Sequence, residues 1–170
     1  MKYFVILSAA CFLVLLGCEY EAPISDKQNI AVDSAVLGLW ELLPEKDEKQ
    51  YIPERMMVLK YTDTEYLIQY PAGKDSLYFR GYPIKVGDIS CVQLQLIGTA
   101  EGNIKEDDRD FQVVSYSFAE GELMIKILNT NVVKTDLKDS ESLKKAFIQN
   151  QDNGNLFIDP GKFIKVINKT

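Results

Sequence analysis

Three cysteines and no histidine limit the chemistry open to this 170-residue chain. Without an imidazole, no Ser-His or Cys-His nucleophile can be assembled, and no His-ligated metal site either. Cys91 sits in an alternating apolar run with no basic neighbour in sequence to lower its pKa, so it reads as a packing residue. The stretch Glu101 to Asp110, with Glu106, Asp107, Asp108 and Asp110, carries enough carboxylate to gather a hard cation such as Ca²⁺. It lacks the alternating Asp-x-Asp-x-Asp-Gly spacing, and Lys105 and Arg109 interrupt it, which makes a solvated hairpin loop the better expectation. Gln151-Asp152-Asn153-Gly154-Asn155 fails the same spacing test and reads as a turn. A carboxylate pair for glycoside hydrolysis needs no histidine, but its separation is a tertiary property that sequence does not locate. The expectation is a protein that is not an enzyme and holds no metal and no cofactor.

Cys18 is different. Met1-Lys2 is a short positive start, and Tyr3 to Leu16 is an apolar run. As a helix that run would span about 21 Å, short of the roughly 30 Å hydrocarbon core, so a cleaved export signal fits better than a membrane span. It ends in Leu15-Leu16-Gly17-Cys18, which resembles the bacterial lipobox. The resemblance implies that a lipid-transferring enzyme alkylates the Cys18 thiol and a dedicated peptidase cuts before it, with Leu15, Leu16 and Gly17 as its recognition residues. An ordinary secretory signal that ends near a cysteine is the competing reading. Diacylglyceryl and N-acyl chains would anchor stably, at about 0.8 kcal/mol per buried methylene. By the same resemblance, Glu19 favours the outer membrane, facing the periplasm.

Cleavage would remove Lys2, taking the net charge from −6 to −7. An acidic domain with scattered lysines suits neither a nucleic-acid backbone nor anionic head groups, so membrane attachment must come from the anchor. Residues 18–34 are polar, contain Pro23 and show no apolar period; they read as a lipidated N-terminus and flexible stalk. Residues 35–170 have the length of one domain with its own core.

Within that domain the dominant period is two. Strands are expected at 37–43, 56–62, 65–70, 76–86, 89–98, 110–119, 122–128 and 131–134. Pro83 suggests an edge position or a bulge. Val92, Leu94 and Leu96 share one face against Cys91, Gln93 and Gln95, and Leu123, Ile125 and Ile127 form a similar inward row. Short connections such as Gly87-Asp88 and Glu120-Gly121 favour antiparallel hairpins. One helix comes late, capped by Asp139 or Ser140, with Leu143, Ala146 and Phe147 as its apolar stripe; it is expected to cover an open edge or mouth. Asp159-Pro160-Gly161 is expected to turn the chain into a last strand, Phe163 to Ile167. The fold class is all-β, an up-and-down meander closing into a barrel or half-barrel, with one short C-terminal helix.

Gly38-Leu39-Trp40 opens the first strand of this series. The pattern is similar to the lipocalin-like (calycin) barrels, whose first strand carries Gly-x-Trp. The resemblance implies a barrel with Trp40 closing one end and an apolar ligand inside. In that family an Arg near the last strand stacks on the Trp; here the last strand offers Lys162 and Lys165 but no Arg, so that lock is missing or altered. A core aromatic in an unrelated antiparallel sheet is the alternative for Trp40. Tyr61, Tyr66, Tyr70, Tyr78, Tyr82 and Tyr116 suit a pocket rim or an interaction face, or strand packing alone. Three functions are open: an envelope module engaging another protein, a binder of a small apolar ligand, and a carboxylate-dependent hydrolase. The first is preferred.

Overall fold

The computed structural model describes residues 20–44 and 52–166. The signal, with Leu15, Leu16 and Gly17, and the lipidation candidate Cys18 lie outside the described residues. Alternation dictates the rest. The strands are β1 Gly38–Leu42, β2 Arg55–Lys60, β3 Tyr66–Tyr70, β4 Leu77–Val86, β5 Ile89–Thr99, β6 Gly102–Asn103, β7 Phe111–Ala119, β8 Glu122–Leu128 and β9 Phe157–Lys165, with helix α1 at Ser140–Gln149 between the last two. Apart from β6, a short ribbon on the edge of β5, each strand pairs antiparallel with the next, β5 pairing with β7. The last strand inserts between β1 and β8, and β4 pairs with β5, so eight strands close into a barrel. Every neighbouring pair is antiparallel, as the short turns require.

The period of two sorts side chains cleanly between inside and outside. Trp40, Met56, Val58, Phe79, Leu94, Val114, Leu123 and Phe163 belong to one buried cluster along the barrel axis. Gly81 belongs to the same inner face. A Cβ there would press on Ile68 and Val92, so glycine lets those two side chains meet. A second cluster lies outside the wall, where Tyr82, Ile84, Val86, Cys91 and Val113 pack beneath Leu143 and Phe147 of α1. Each such side chain, fully buried, contributes roughly 1.5–3 kcal/mol. The helix therefore covers the outer wall of β4, β5 and β7, not a mouth. Asp139 is its cap, accepting the Ser142 N–H at 2.8 Å. Among the described residues no helix is long and apolar enough to cross a membrane.

Other expectations are corrected in detail. Residues 131–134 form no strand, because Asn129 turns the chain instead: its carbonyl accepts from Val132 and Val133, and its side chain accepts from Asn131. The last strand begins at Phe157, and Asp159-Pro160-Gly161 lies within it. Asp159 takes φ 53° there, beside a register shift opposite Ile125 and Ile127, so the turn signal marks a bulge. Pro83 is not at a bulge. Pairing of β3 with β4 stops at Gly81, so no ladder on that side needs the missing N–H.

From Tyr20 on, the segment read as a stalk packs against the barrel. Tyr20 exchanges two backbone hydrogen bonds with Phe111 at 2.8 Å each, and its hydroxyl donates to the Val133 carbonyl at 2.8 Å. Ile24 is buried beside it. Gln93, which alternation points outward from β5, is buried too, because its amide pairs with both the N–H and the C=O of Ser25 at 3.2 Å. A strap with its own apolar anchors thus covers part of the wall that the sequence pattern left wet.

Candidate functional site

Trp40 belongs to the inner cluster, on β1 beside β9. It is fully buried, and its indole N–H donates to the Val36 carbonyl at 2.8 Å. Val36 ends a short 3-10 turn, Ser34–Val36, capped by Asp33. The edge of Phe118 meets the indole at 5.9 Å between ring centres. Lys165 of β9 places its ammonium 5.4 Å from the indole centre, a cation over an aromatic face. The stacking partner expected from the family is therefore altered rather than missing: lysine stands over the ring. Gly38 has a local reason as well, since it holds φ +132° and a Cβ there would sit 2.9 Å from the Lys165 side chain.

The structure also forms a polar cluster that sequence reading did not find. The Asp33 N–H donates to the Tyr66 hydroxyl at 2.6 Å, and the Tyr116 hydroxyl reaches the Asp33 carboxylate at 3.4 Å. Only tertiary closure brings residue 33 to strands β3 and β7. Burial raises the pKa of Tyr66, Tyr82 and Tyr116, with the neighbouring Tyr66 and Asp33 adding to the effect at Tyr116. All three phenols thus titrate above their ordinary value of 10.0. The unfolded chain ionises first, so stability is complete below about pH 10 and falls as pH rises through the folded values. An ultraviolet titration is expected to show these tyrosines ionising after the exposed ones, with the urea midpoint declining above pH 10; Tyr116→Phe should lessen the decline. Coincident ionisation of every tyrosine at pH 10 would contradict this.

The six tyrosines do not form one rim. Tyr66, Tyr70 and Tyr116 belong to the inner cluster, while Tyr82 belongs to the outer one, Tyr61 is exposed and the Tyr78 hydroxyl accepts from Gln69 Nε2 at 3.3 Å. Tyr70 meets Glu54, donating at 2.6 Å. Around it the inner-face Leu42, Leu77 and Leu96 are only partly buried.

On the outer wall, Arg80 is clamped. Its Nη2 donates to both carboxylate oxygens of Glu65 at 2.8 Å, and its guanidinium lies between the rings of Tyr61 and Tyr82, 5.6 and 5.4 Å from their centres. Next to the clamp the wall is apolar. Leu39 pairs with Met57 and Leu59 with Leu67 across β1, β2 and β3, all pointing away from the inner cluster. Val166 bonds to the Leu39 carbonyl and continues the row, with exposed Ile164 two residues before it. Among the described residues no helix or strap covers this side.

Cys91 is buried beneath α1, and burial pushes its thiol up to about 12, which fits a packing role. Glu106 to Asp108 form a short exposed turn. Arg109 joins it, donating to the Ile104 carbonyl at 3.1 Å and facing Glu106 at 3.5 Å. Among the described residues, no group of three or more acidic or cysteine side chains is placed to hold a metal ion. Asn153 and Asn155 close a plain turn. A crevice between strap, helix and wall, lined by Tyr20, Ile24, Phe111 and Leu143, has no room for a water molecule.

No family model, no curated protein and no solved structure matches this chain. The closed eight-stranded barrel is consistent with a calycin-like fold.

Proposed function

We propose that the domain is a non-enzymatic module of the bacterial envelope, held to a membrane by lipid on Cys18 and working through its outer wall. The observation that carries this reading is where the apolar surface lies. Trp40, Phe79, Leu94, Leu123 and Phe163 fill the barrel axis in one buried cluster, whereas Leu59, Tyr61 and Ile164 stand exposed on the uncovered side. Exposed apolar side chains gathered on one wall are a feature of protein-contact surfaces.

The second reading, a binder of a small apolar ligand, is supported by the closed barrel and by the half-buried Leu42, Tyr70, Leu77 and Leu96 packed against the inner cluster.

Two measurements test the proposal. Growth with a palmitate analogue is expected to label the protein, and Cys18→Ala is expected to abolish both the label and its recovery with membranes. An unlabelled protein with unchanged fractionation would end the anchor reading. Native mass spectrometry of material purified from its own envelope is expected to show a protein adduct that Leu59→Glu removes. An adduct of lipid-sized mass that survives Leu59→Glu would favour the ligand reading instead.

A further inference from the structure

The attachment geometry carries an inference that rests on lipidation of Cys18. One residue, Glu19, lies between that cysteine and Tyr20, and an extended chain covers at most about 3.3–3.6 Å per residue step, so a leash of two steps is about 7 Å. Its far end is fixed. Tyr20 is buried, hydrogen-bonded through both backbone groups to Phe111 and through its hydroxyl to Val133. Glu21 next to it pairs with Lys138 at 2.6 Å, and Ser25 is held by Gln93. A free stalk of the length read from sequence, sixteen residues, would span about 20–24 Å on average and leave the domain free to tumble. Here that slack is absent.

Phe111 begins β7. In the closed ring three strands separate β7 from β2 in either direction, so the two lie on opposite sides of the barrel. We infer that the short anchor sets the orientation of the whole domain: the wall around Tyr20, Glu21, Phe111 and Lys138 rests against the lipid surface, and the apolar face of β1, β2 and β3 points away from it. No cluster of basic side chains is needed, because the leash alone enforces the contact. The anchor thus presents the patch to partners and keeps it out of the bilayer.

The test uses the lipidated protein, purified from membranes in detergent and reconstituted into phosphatidylcholine vesicles. Cys18 is blocked by its thioether and Cys91 is buried, so Lys138→Cys and Leu59→Cys each supply a single reactive thiol for a fluorescent label. With nitroxide on the lipid head groups, most of the fluorescence is expected to be lost at position 138 and almost none at 59. Inserting about twelve Gly/Ser residues after Glu19, which gives a leash of about 17–21 Å, is expected to erase the contrast. Equal quenching at the two positions, or stronger quenching at 59, would overturn the orientation while leaving the anchor intact. A contrast that survives the insertion would overturn the role of the short leash. Protein that does not stay with the vesicles would overturn the anchor reading, and the orientation with it.

Discussion

Trp40→Ala is expected to cost the barrel about 3–5 kcal/mol, the range for truncating a fully buried large aromatic. Against a typical total of about 5–15 kcal/mol, this leaves a small fraction of the stability or none. The loss has several parts. The indole fills part of the core, donates to the Val36 carbonyl, receives the edge of Phe118 and carries the Lys165 ammonium. Without it the 3-10 turn loses its side-chain tie to β1. Trp40→Phe should cost clearly less, because it keeps most of the packing and loses chiefly the hydrogen bond, worth about 1 kcal/mol. Urea unfolding followed by circular dichroism measures both. A midpoint for Trp40→Ala within error of the parent would refute this packing role. Trp40 is the sole tryptophan, so its fluorescence in the parent protein reports on this part of the core alone.

Truncating the strap should come second. Tyr20→Ala removes a buried ring and the hydroxyl bond to Val133, a loss of about 3–4 kcal/mol by the same measure. Tyr20→Phe removes the bond alone and should cost about 1–2 kcal/mol, since the Val133 carbonyl is left without it. Hydrogen exchange separates this from a general weakening. In Tyr20→Ala the amides of residues 20–25 should lose protection well before those of β5 and β7. Uniform loss across the barrel would mean that the strap is an integral layer rather than a separable one.

The contrast between these two positions shows what the sequence disclosed. Trp40 was legible because Gly38-x-Trp40 opens the first of a series of alternating runs, and alternation is a local property. Strands β4, β5, β7 and β8 fell within a residue or so of their expected bounds for the same reason, as did the apolar stripe of α1. Tyr20 was not legible. A polar segment with one proline carries no period, and its two anchors, Tyr20 and Ile24, are recognisable only once the wall they meet is known. Gln93 misled in the same way: a polar residue on the outward face reads as wet, yet its amide serves the backbone of Ser25. Asp159-Pro160-Gly161 has the composition of a turn, and a bulge demands the same backbone freedom, so composition does not separate them. The Asp33, Tyr66 and Tyr116 cluster draws on three distant stretches of chain and had no local signal. Lys165 over Trp40 was half visible: the absence of arginine could be read, but not that a lysine would take up the position.

The place of β9 has a consequence for how the molecule is made. Trp40 pairs with Lys165, so the first wall strand waits for the last one. A chain that emerges amino end first, from a ribosome or through a translocation pore, exposes one edge of β1 and one edge of β8 until Phe157–Lys165 has arrived. Contacts between such remote segments slow assembly, and unpaired edges invite pairing with other chains. Nascent forms of this protein are therefore natural clients for holding factors, and loss of the final dozen residues should leave an open sheet prone to self-association rather than a slightly shortened barrel.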